Sequence, residues 1–460
     1  MRHILIVAGE ASGDLHASNL VRALKSSDLG FKISDLKFSG LGGEKMQEAG
    51  VELLTLARTD GRSGGPFTKH AGTGLDPLLK ITHFSQVFRK LVSFASHGVP
   101  PGQSLSTNAS KTSPPHQSHW CGGKPDLAIL VDFPDFNLRL APRMKALGIK
   151  VVYYISPQIW AWRQSRVKII QKYVDKMIVI FGFEQEFYNR FNVAAEFVGH
   201  PLLDVLENLD SPVRGNDTKS VARKSLGLNT NDLIIGLLPG SRPSEFKRHF
   251  PIMQKAIGIL SNTPSPYQIP NPPQPPPSNP PFSPFAKGGW GDFGGNKGGF
   301  NKGNIKYILG AAPDITPGLI SKMGKKDAPS IMPYYNKTYE VIAASDILIT
   351  VSGTITVEAA LFQTPMIVIY KVPLLTELVF RPLVKTPFYA MVNIIAGKKV
   401  VPELIQQDCT PAKIADSVIE LLDTDTRQRM QEELTKVKAK LGSAGASQRA
   451  AEIIHKMLNP

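Results

Sequence analysis

The sequence predicts an α/β protein built on two open, parallel sheets. Three observations carry this. Short apolar runs repeatedly end in a small or polar turn and are followed by a stretch of helical composition. The polar residues gather at the carboxyl ends of those runs, the edge where open parallel sheets bind ligands. The chain has 460 residues, more than one ordinary core accommodates, so two units are expected.

Composition narrows the class. Hydrophobic residues make up 42% and charged residues 20%, so most of the chain is globular. No apolar run is long enough to span a bilayer, and the run in MRHILIVAGE stops at Gly9-Glu10, too soon for a signal peptide. Cys121 and Cys409 give neither a disulfide framework nor a metal spacing, which fits a reducing cytoplasm. The net charge of +15 favours an anionic partner: nucleic acid, acidic lipid or a phosphorylated substrate. No RNA or DNA motif is present, and aromatics are not interleaved with a basic strand, so no nucleic-acid partner is expected.

In chain order, His3 to Ala8 reads as a buried strand and Ser12 to Lys25 as a helix. The turn between them, Gly9 to Asp14, lacks the lysine and spacing of a Walker loop and leaves Glu10 at a strand end. Ser12 and Asp14 suit helix capping, and for Asp14 that reading is preferred to catalysis. Lys37 to Gly43 is a second strand and glycine turn. Leu75 to Ala95 is a basic amphipathic helix carrying Leu78, Leu79, Phe84 and Phe88. Such a helix either lies on a membrane surface or packs on its own domain. Residues 98–123 read as an insertion without apolar periodicity.

Asp126 to Asp132 is a strong strand, followed by Pro134-Asp135-Phe136-Asn137 opening a helix. Val151 to Ile155 ends in Ser156-Pro157-Gln158, with Trp160 and Trp162 beyond, and a short strand Glu196 to His200 follows. A second α/β unit starts near Leu233, whose strand ends in Pro239-Gly240-Ser241-Arg242. Arg242 could clamp a phosphate, or pair with the nearby Glu245. Residues 264–303 are Pro/Asn/Gln-rich, then Gly/Phe/Lys-rich, and read as a disordered insertion. Asp346 to Tyr370 then reads strand, loop, helix, strand. The loop Ser352-Gly353-Thr354 offers free backbone N–H groups to a phosphate, and Glu358 offers a carboxylate to sugar hydroxyls. Lys385 to Val401, with Asn393, is basic and turn-rich.

The ordered motifs together resemble the lipid-A-disaccharide synthase family of Gram-negative bacteria. They are GEASGD at Gly9, DFPDFN at Asp132, SPQIWAWR at Ser156, VGHP at Val198, LPGSR at Leu238, SGT at Ser352 and NIIAG at Asn393. The resemblance implies the GT-B fold, two Rossmann-like domains with parallel sheets facing an interdomain cleft. The expected division is 1–203 for acceptor and lipid, 204–425 for the UDP-sugar, and 426–460 as helices returning to the first domain. It implies that UDP-2,3-diacylglucosamine is joined to 2,3-diacylglucosamine 1-phosphate in a β-1,6 linkage, with release of UDP and no metal or other cofactor. The protein would be cytoplasmic, peripheral on the inner-membrane surface.

An acceptor hydroxyl needs a carboxylate to take its proton. Asp132 directly follows a strand and matches the family's base; Glu10 is the competing base or a sugar ligand. Without a metal, Gly240, Ser241, Arg242, Ser352, Gly353 and Thr354 would stabilise the departing diphosphate, and Glu358 would hold the ribose. Ser12, Asp135, Asn137, Ser156, Gln158, Trp160, His200 and Asn393 are expected to bind substrate, and Leu78, Leu79, Phe84 and Phe88 to face lipid. A sugar-nucleotide epimerase or another GT-B glycosyltransferase is the alternative. The motifs leave the oligomeric state open.

Overall fold

The computed structural model describes residues 2–26, 35–54, 77–97, 123–207, 218–262, 305–324, 329–373, 377 and 386–459, without the side chains of 11, 77–84 and 97. The expected insertions lie outside the described residues apart from Gly123.

Two sheets organise the chain. The first has strands β1 (Arg2–Ala8), β2 (Leu36–Leu41), β3 (Glu52–Leu53), β4 (Leu127–Val131), β5 (Lys150–Tyr154), β6 (Lys176–Val179) and β7 (Ala195–Phe197). Their spatial order is β3-β2-β1-β4-β5-β6-β7. The second has β8 (Leu233–Leu238), β9 (Ile305–Ala311), β10 (Ile331–Tyr335), β11 (Ile347–Val351), β12 (Met366–Tyr370) and β13 (Glu403–Ile405), ordered β10-β9-β8-β11-β12-β13. All pairings are parallel. Every residue of β4, β8 and β11 is buried, as parallel strands covered by helices on both faces require.

The topology fixes where a ligand can enter. From β1 the chain steps outward through β2 and β3, then returns to pair β4 against the other side of β1. From β8 it steps through β9 and β10, then returns with β11. Connections leave each reversal in opposite directions, opening a crevice at the carboxyl ends. Glu10 and Asp132 flank the first crevice, Pro239–Arg242 and Ser352–Thr354 the second.

Several helices differ from the sequence reading. The amphipathic helix spans Pro77–His97, and Val87, Leu91, Phe94 and Ala95 are buried. Phe88, expected to face lipid, packs edge-on against Phe136 at 5.7 Å. Helical spacing places it beside Val87 and Leu91, so it shares the face that covers the first sheet. The side chains of Leu78, Leu79 and Phe84 lie outside the described residues. Asp14 does act as a cap, but for another helix. Its carboxylate accepts from the backbone N–H of Gly43, Lys45 and Met46 at 2.8, 3.2 and 3.1 Å, capping Glu44–Glu48. Within the turn-rich stretch after Lys385, Met391–Ala396 forms a helix.

The closing helices divide. Thr424–Lys440 packs on the second half, against Ile355–Leu361 and Met391–Ala396, while Ala446–Leu458 packs on Ala11–Leu24 and Leu202–Glu207 of the first. Asp204 caps the last helix by accepting from the N–H groups of Gly445, Ala446 and Ser447 at 2.7, 3.0 and 2.8 Å. The substitution Asp204→Ala strands these donors and is expected to cost about 2 kcal/mol. A lowered urea midpoint and faster amide exchange over 446–458 would report it; unchanged stability would contradict it.

Candidate functional site

The first half presents its carboxylate through an unusual turn. Asp132 and Phe133 both lie in the left-handed region, at φ 47° and 46°. The turn is held from three directions. Asn137 Nδ2 donates to the carbonyls of Val131 and Asp132 at 3.1 and 2.8 Å, and the Tyr153 phenol donates to the Asp132 carbonyl at 2.6 Å. The Phe133 ring stacks on Phe136 at 5.7 Å and passes over Gly9, where a Cβ would stand 2.3 Å from it. The Asp132 carboxyl is pushed up to about 6 by burial and by the Glu10 charge, against the opposing pull of the Phe133 backbone N–H. A carboxylate tuned close to working pH suits a general base.

Three expected substrate ligands prove to serve the framework. Asn137 is buried and its Nδ2 is committed to the turn. Ser156 is buried, its Oγ donating to the Pro157 carbonyl at 3.0 Å and lying 2.8 Å from the Tyr188 phenol. His200 is buried; its Nδ1 accepts from the Leu202 N–H at 3.2 Å, and burial beside His16 lowers the imidazole to about 3. A short polar side chain at a strand end is as useful for holding that end as for meeting a ligand. Asp135, also expected to bind substrate, is exposed and pairs with Arg166 and with Arg163 at 3.9 Å. Ser12 is exposed in the first turn of its helix.

The second half supplies the facing loop. Gly353, at φ 151°, has open space where a Cβ would stand, and Thr354 is exposed. Ser352 Oγ donates to the Tyr389 carbonyl at 2.8 Å. Among the described residues the Glu358 carboxylate has no hydrogen bond or ion pair, and burial raises it to about 7. Gly240, at φ 115°, lets the chain pass Glu245, where a Cβ would come within 2.7 Å. Ser241 and Arg242 are exposed, with Arg242 only loosely paired to Glu245 at 3.9 Å. Asn393, expected to touch substrate, is fully buried and bonded to Glu403 and to the backbone of Val400 and Val401.

A cleft of about 370 Å³ joins the halves. Gln158, Trp160, Ala161 and Trp162 form one wall, and Ser352, Gly353, Thr354, Tyr389 and Met391 contribute to the other. Gln158 Nε2 reaches Met391 Sδ at 4.0 Å across it. Asp132 and Glu10 stand at neighbouring strand ends of the first sheet and Arg242 beyond β8 of the second, all outside this lining. The Arg163 guanidinium stacks on Trp162 at 4.5 Å and pairs with Asp135, which ties this wall to the helix that follows Asp132.

Sequence reasoning missed Tyr153, Glu184 and Glu403. Glu184 is buried, accepts from Trp160 Nε1 at 3.1 Å and from the N–H of Ile180 and Phe181, and is pushed up to about 8 by that burial. Its signal was a glutamate at the third position of a helix, the capping-box place. Among the described residues, no three His, Cys, Asp or Glu side chains converge as a metal site.

Two parallel sheets with binding edges joined across a cleft define the GT-B class, shared by glycosyltransferases and sugar-nucleotide epimerases. The chain is similar to the UDP-GlcNAc 2-epimerase of Neisseria meningitidis, with TM-score 0.58 and 9% identity over 100% of both chains. It is also similar to the calicheamicin glycosyltransferase CalG4, with TM-score 0.52 and 13% identity over 100% of this chain and 98% of that one. At these identities the likeness shows the fold. The family model for lipid-A-disaccharide synthetase matches residues 4–60, 117–270 and 302–457. A lipid-A-disaccharide synthase from Myxococcus xanthus is 35% identical over 99% of this chain and 98% of its own. The chain belongs to the lipid-A-disaccharide synthase family, and is a glycosyltransferase of lipid A biosynthesis.

The pH dependence of activity follows from the Asp132 environment. With Asp132 as base, kcat/KM rises with pH through about 6 and then levels. Glu10→Gln removes a like charge, favours the ionised form and moves that limb to lower pH. A limb that stays in place would contradict the coupling.

Proposed function

We propose that this enzyme condenses UDP-2,3-diacylglucosamine with 2,3-diacylglucosamine 1-phosphate. The observation that carries the mechanism is the half-buried Asp132 carboxyl at one sheet reversal, with the small-residue loop of the other reversal facing the cleft. Asp132 takes the proton of the acceptor's primary hydroxyl. The hydroxyl oxygen bonds to the donor's anomeric carbon as the bond to the UDP oxygen breaks, inverting that carbon and giving the β-1,6 linkage. Glu10 raises the basicity of Asp132 and stands where it can meet the acceptor sugar.

Charge leaves toward the second half. The Ser352 N–H is taken by the Ile369 carbonyl at 3.2 Å, so the backbone N–H groups of Gly353 and Thr354, the exposed Ser241 beside Gly240, and the Arg242 guanidinium receive the diphosphate. The Glu358 carboxylate, desolvated and without a hydrogen-bond partner among the described residues, accepts from the ribose hydroxyls. Gln158 and Trp160 lie where donor and acceptor meet. We place the enzyme on the cytoplasmic face of the inner membrane, since its substrates are acylated and its net charge is +15. Among the described residues, no helix is long and apolar enough to cross a membrane.

Incubation with both substrates, followed by mass spectrometry, tests the reaction. The expected result is an acylated disaccharide phosphate and UDP in equal amounts, with no turnover when the acceptor is omitted. An epimerised nucleotide sugar formed without acceptor would overturn the reading.

A further inference from the structure

Glu403 lies outside every functional motif, yet it fixes one wall of the cleft. It opens the edge strand β13 and is half-buried. Its Oε2 accepts from the Tyr389 N–H at 3.0 Å, and its Oε1 from the Ala390 N–H at 2.9 Å and from Asn393 Nδ2 at 2.8 Å. Asn393 is anchored in turn: Nδ2 donates to the Val401 carbonyl at 3.0 Å, while Oδ1 accepts from the N–H groups of Val400 and Val401 at 2.7 and 3.0 Å. On the opposite side, Ser352 Oγ donates to the Tyr389 carbonyl at 2.8 Å. Both peptide groups of Tyr389 are therefore held by the Glu403 carboxylate, and the second is held also by the loop that faces the cleft.

The Tyr389 ring has the opposite character. It is 39% exposed and lines the cleft across from Trp160 and Trp162. A scattered exposed aromatic needs no explanation. This one is an aromatic face on a backbone fixed from both sides, beside the phosphate loop. Such preorganisation lowers the ordering cost of binding a flat ligand. A nucleotide base is the flat part of the donor, and aromatic faces hold bases by stacking without reading their edges.

We propose that Tyr389 is the stacking surface for the donor's base, and that Glu403 and Asn393 are the positioning residues that fix it. This assignment rests on the reading that the nucleotide occupies the cleft at Ser352–Thr354. It gives Asn393 a role that acts through Glu403 rather than by contact with substrate.

Titration of the full-length enzyme with UDP, and separately with inorganic pyrophosphate, tests the proposal through tryptophan fluorescence. Tyr389→Ala is expected to weaken UDP about ten-fold and leave pyrophosphate unchanged, and Tyr389→Phe to restore UDP affinity. Glu403→Gln replaces one accepting oxygen by an NH2 donor, sets it against one of the two backbone N–H groups, and is expected to weaken UDP similarly. If Glu403 acts through Tyr389, the double variant binds UDP no more weakly than Tyr389→Ala alone. Unchanged UDP binding by Tyr389→Ala, equal losses for UDP and pyrophosphate, or multiplying losses in the double variant would each overturn the proposal. Failure of the unsubstituted enzyme to bind UDP would instead overturn the nucleotide reading on which it rests.

Discussion

The left-handed turn at Asp132 and Phe133 is the constraint on which the site depends. A carboxylate at a strand's carboxyl end ordinarily runs straight into the following helix and caps it. Here the chain turns the wrong way for two residues, which costs roughly 2–4 kcal/mol in all. Two bonds from Asn137 and one from Tyr153 offset this at about 1 kcal/mol each. The Phe133 ring, seated over Gly9, supplies the packing. The turn leaves the Asp132 side chain outside the helix, desolvated, and close enough to Glu10 to feel its charge.

The rest of the molecule gives that carboxylate an opposite number. Each sheet reverses its strand order once beside its first strand, and each reversal carries the polar residues of its half. The first half offers a carboxyl whose hold on a proton is strengthened by burial and by Glu10. The second offers an exposed guanidinium and a small-residue loop in which only the Ser352 N–H is taken by another carbonyl among the described residues, suited to charge leaving as a diphosphate. The final helix ties the halves by returning from the second to the first, where Asp204 caps it and Arg449 donates to the carbonyls of Val198, Ser443 and Ala444.

The sequence exposed the architecture well because buried parallel strands leave an unambiguous trace. Ile347–Val351 was legible to the residue, and the strand ends of Glu10, Asp132 and Arg242 followed from the same pattern. Side-chain roles were less legible. Asn137, Ser156, His200 and Asn393 sit within motifs at strand ends or turns, yet each is buried and bonded to its own framework. Nothing local separates a polar residue that holds a turn from one that meets a ligand. Asp14 caps a helix that begins about thirty residues later, and Glu403 pins the Tyr389–Ala390 stretch ahead of the helix Met391–Ala396. Partners so distant are set by sheet order, which periodicity does not reveal.

The most direct test of the central claim is the single-turnover rate of Asp132→Asn with both substrates bound. Asparagine keeps the size of the side chain and loses the basic oxygen. The expected result is a fall of 10²–10⁴-fold in rate with UDP affinity unchanged. Transfer at the unmodified rate would show that the proton goes elsewhere, and the role given to the turn would be wrong.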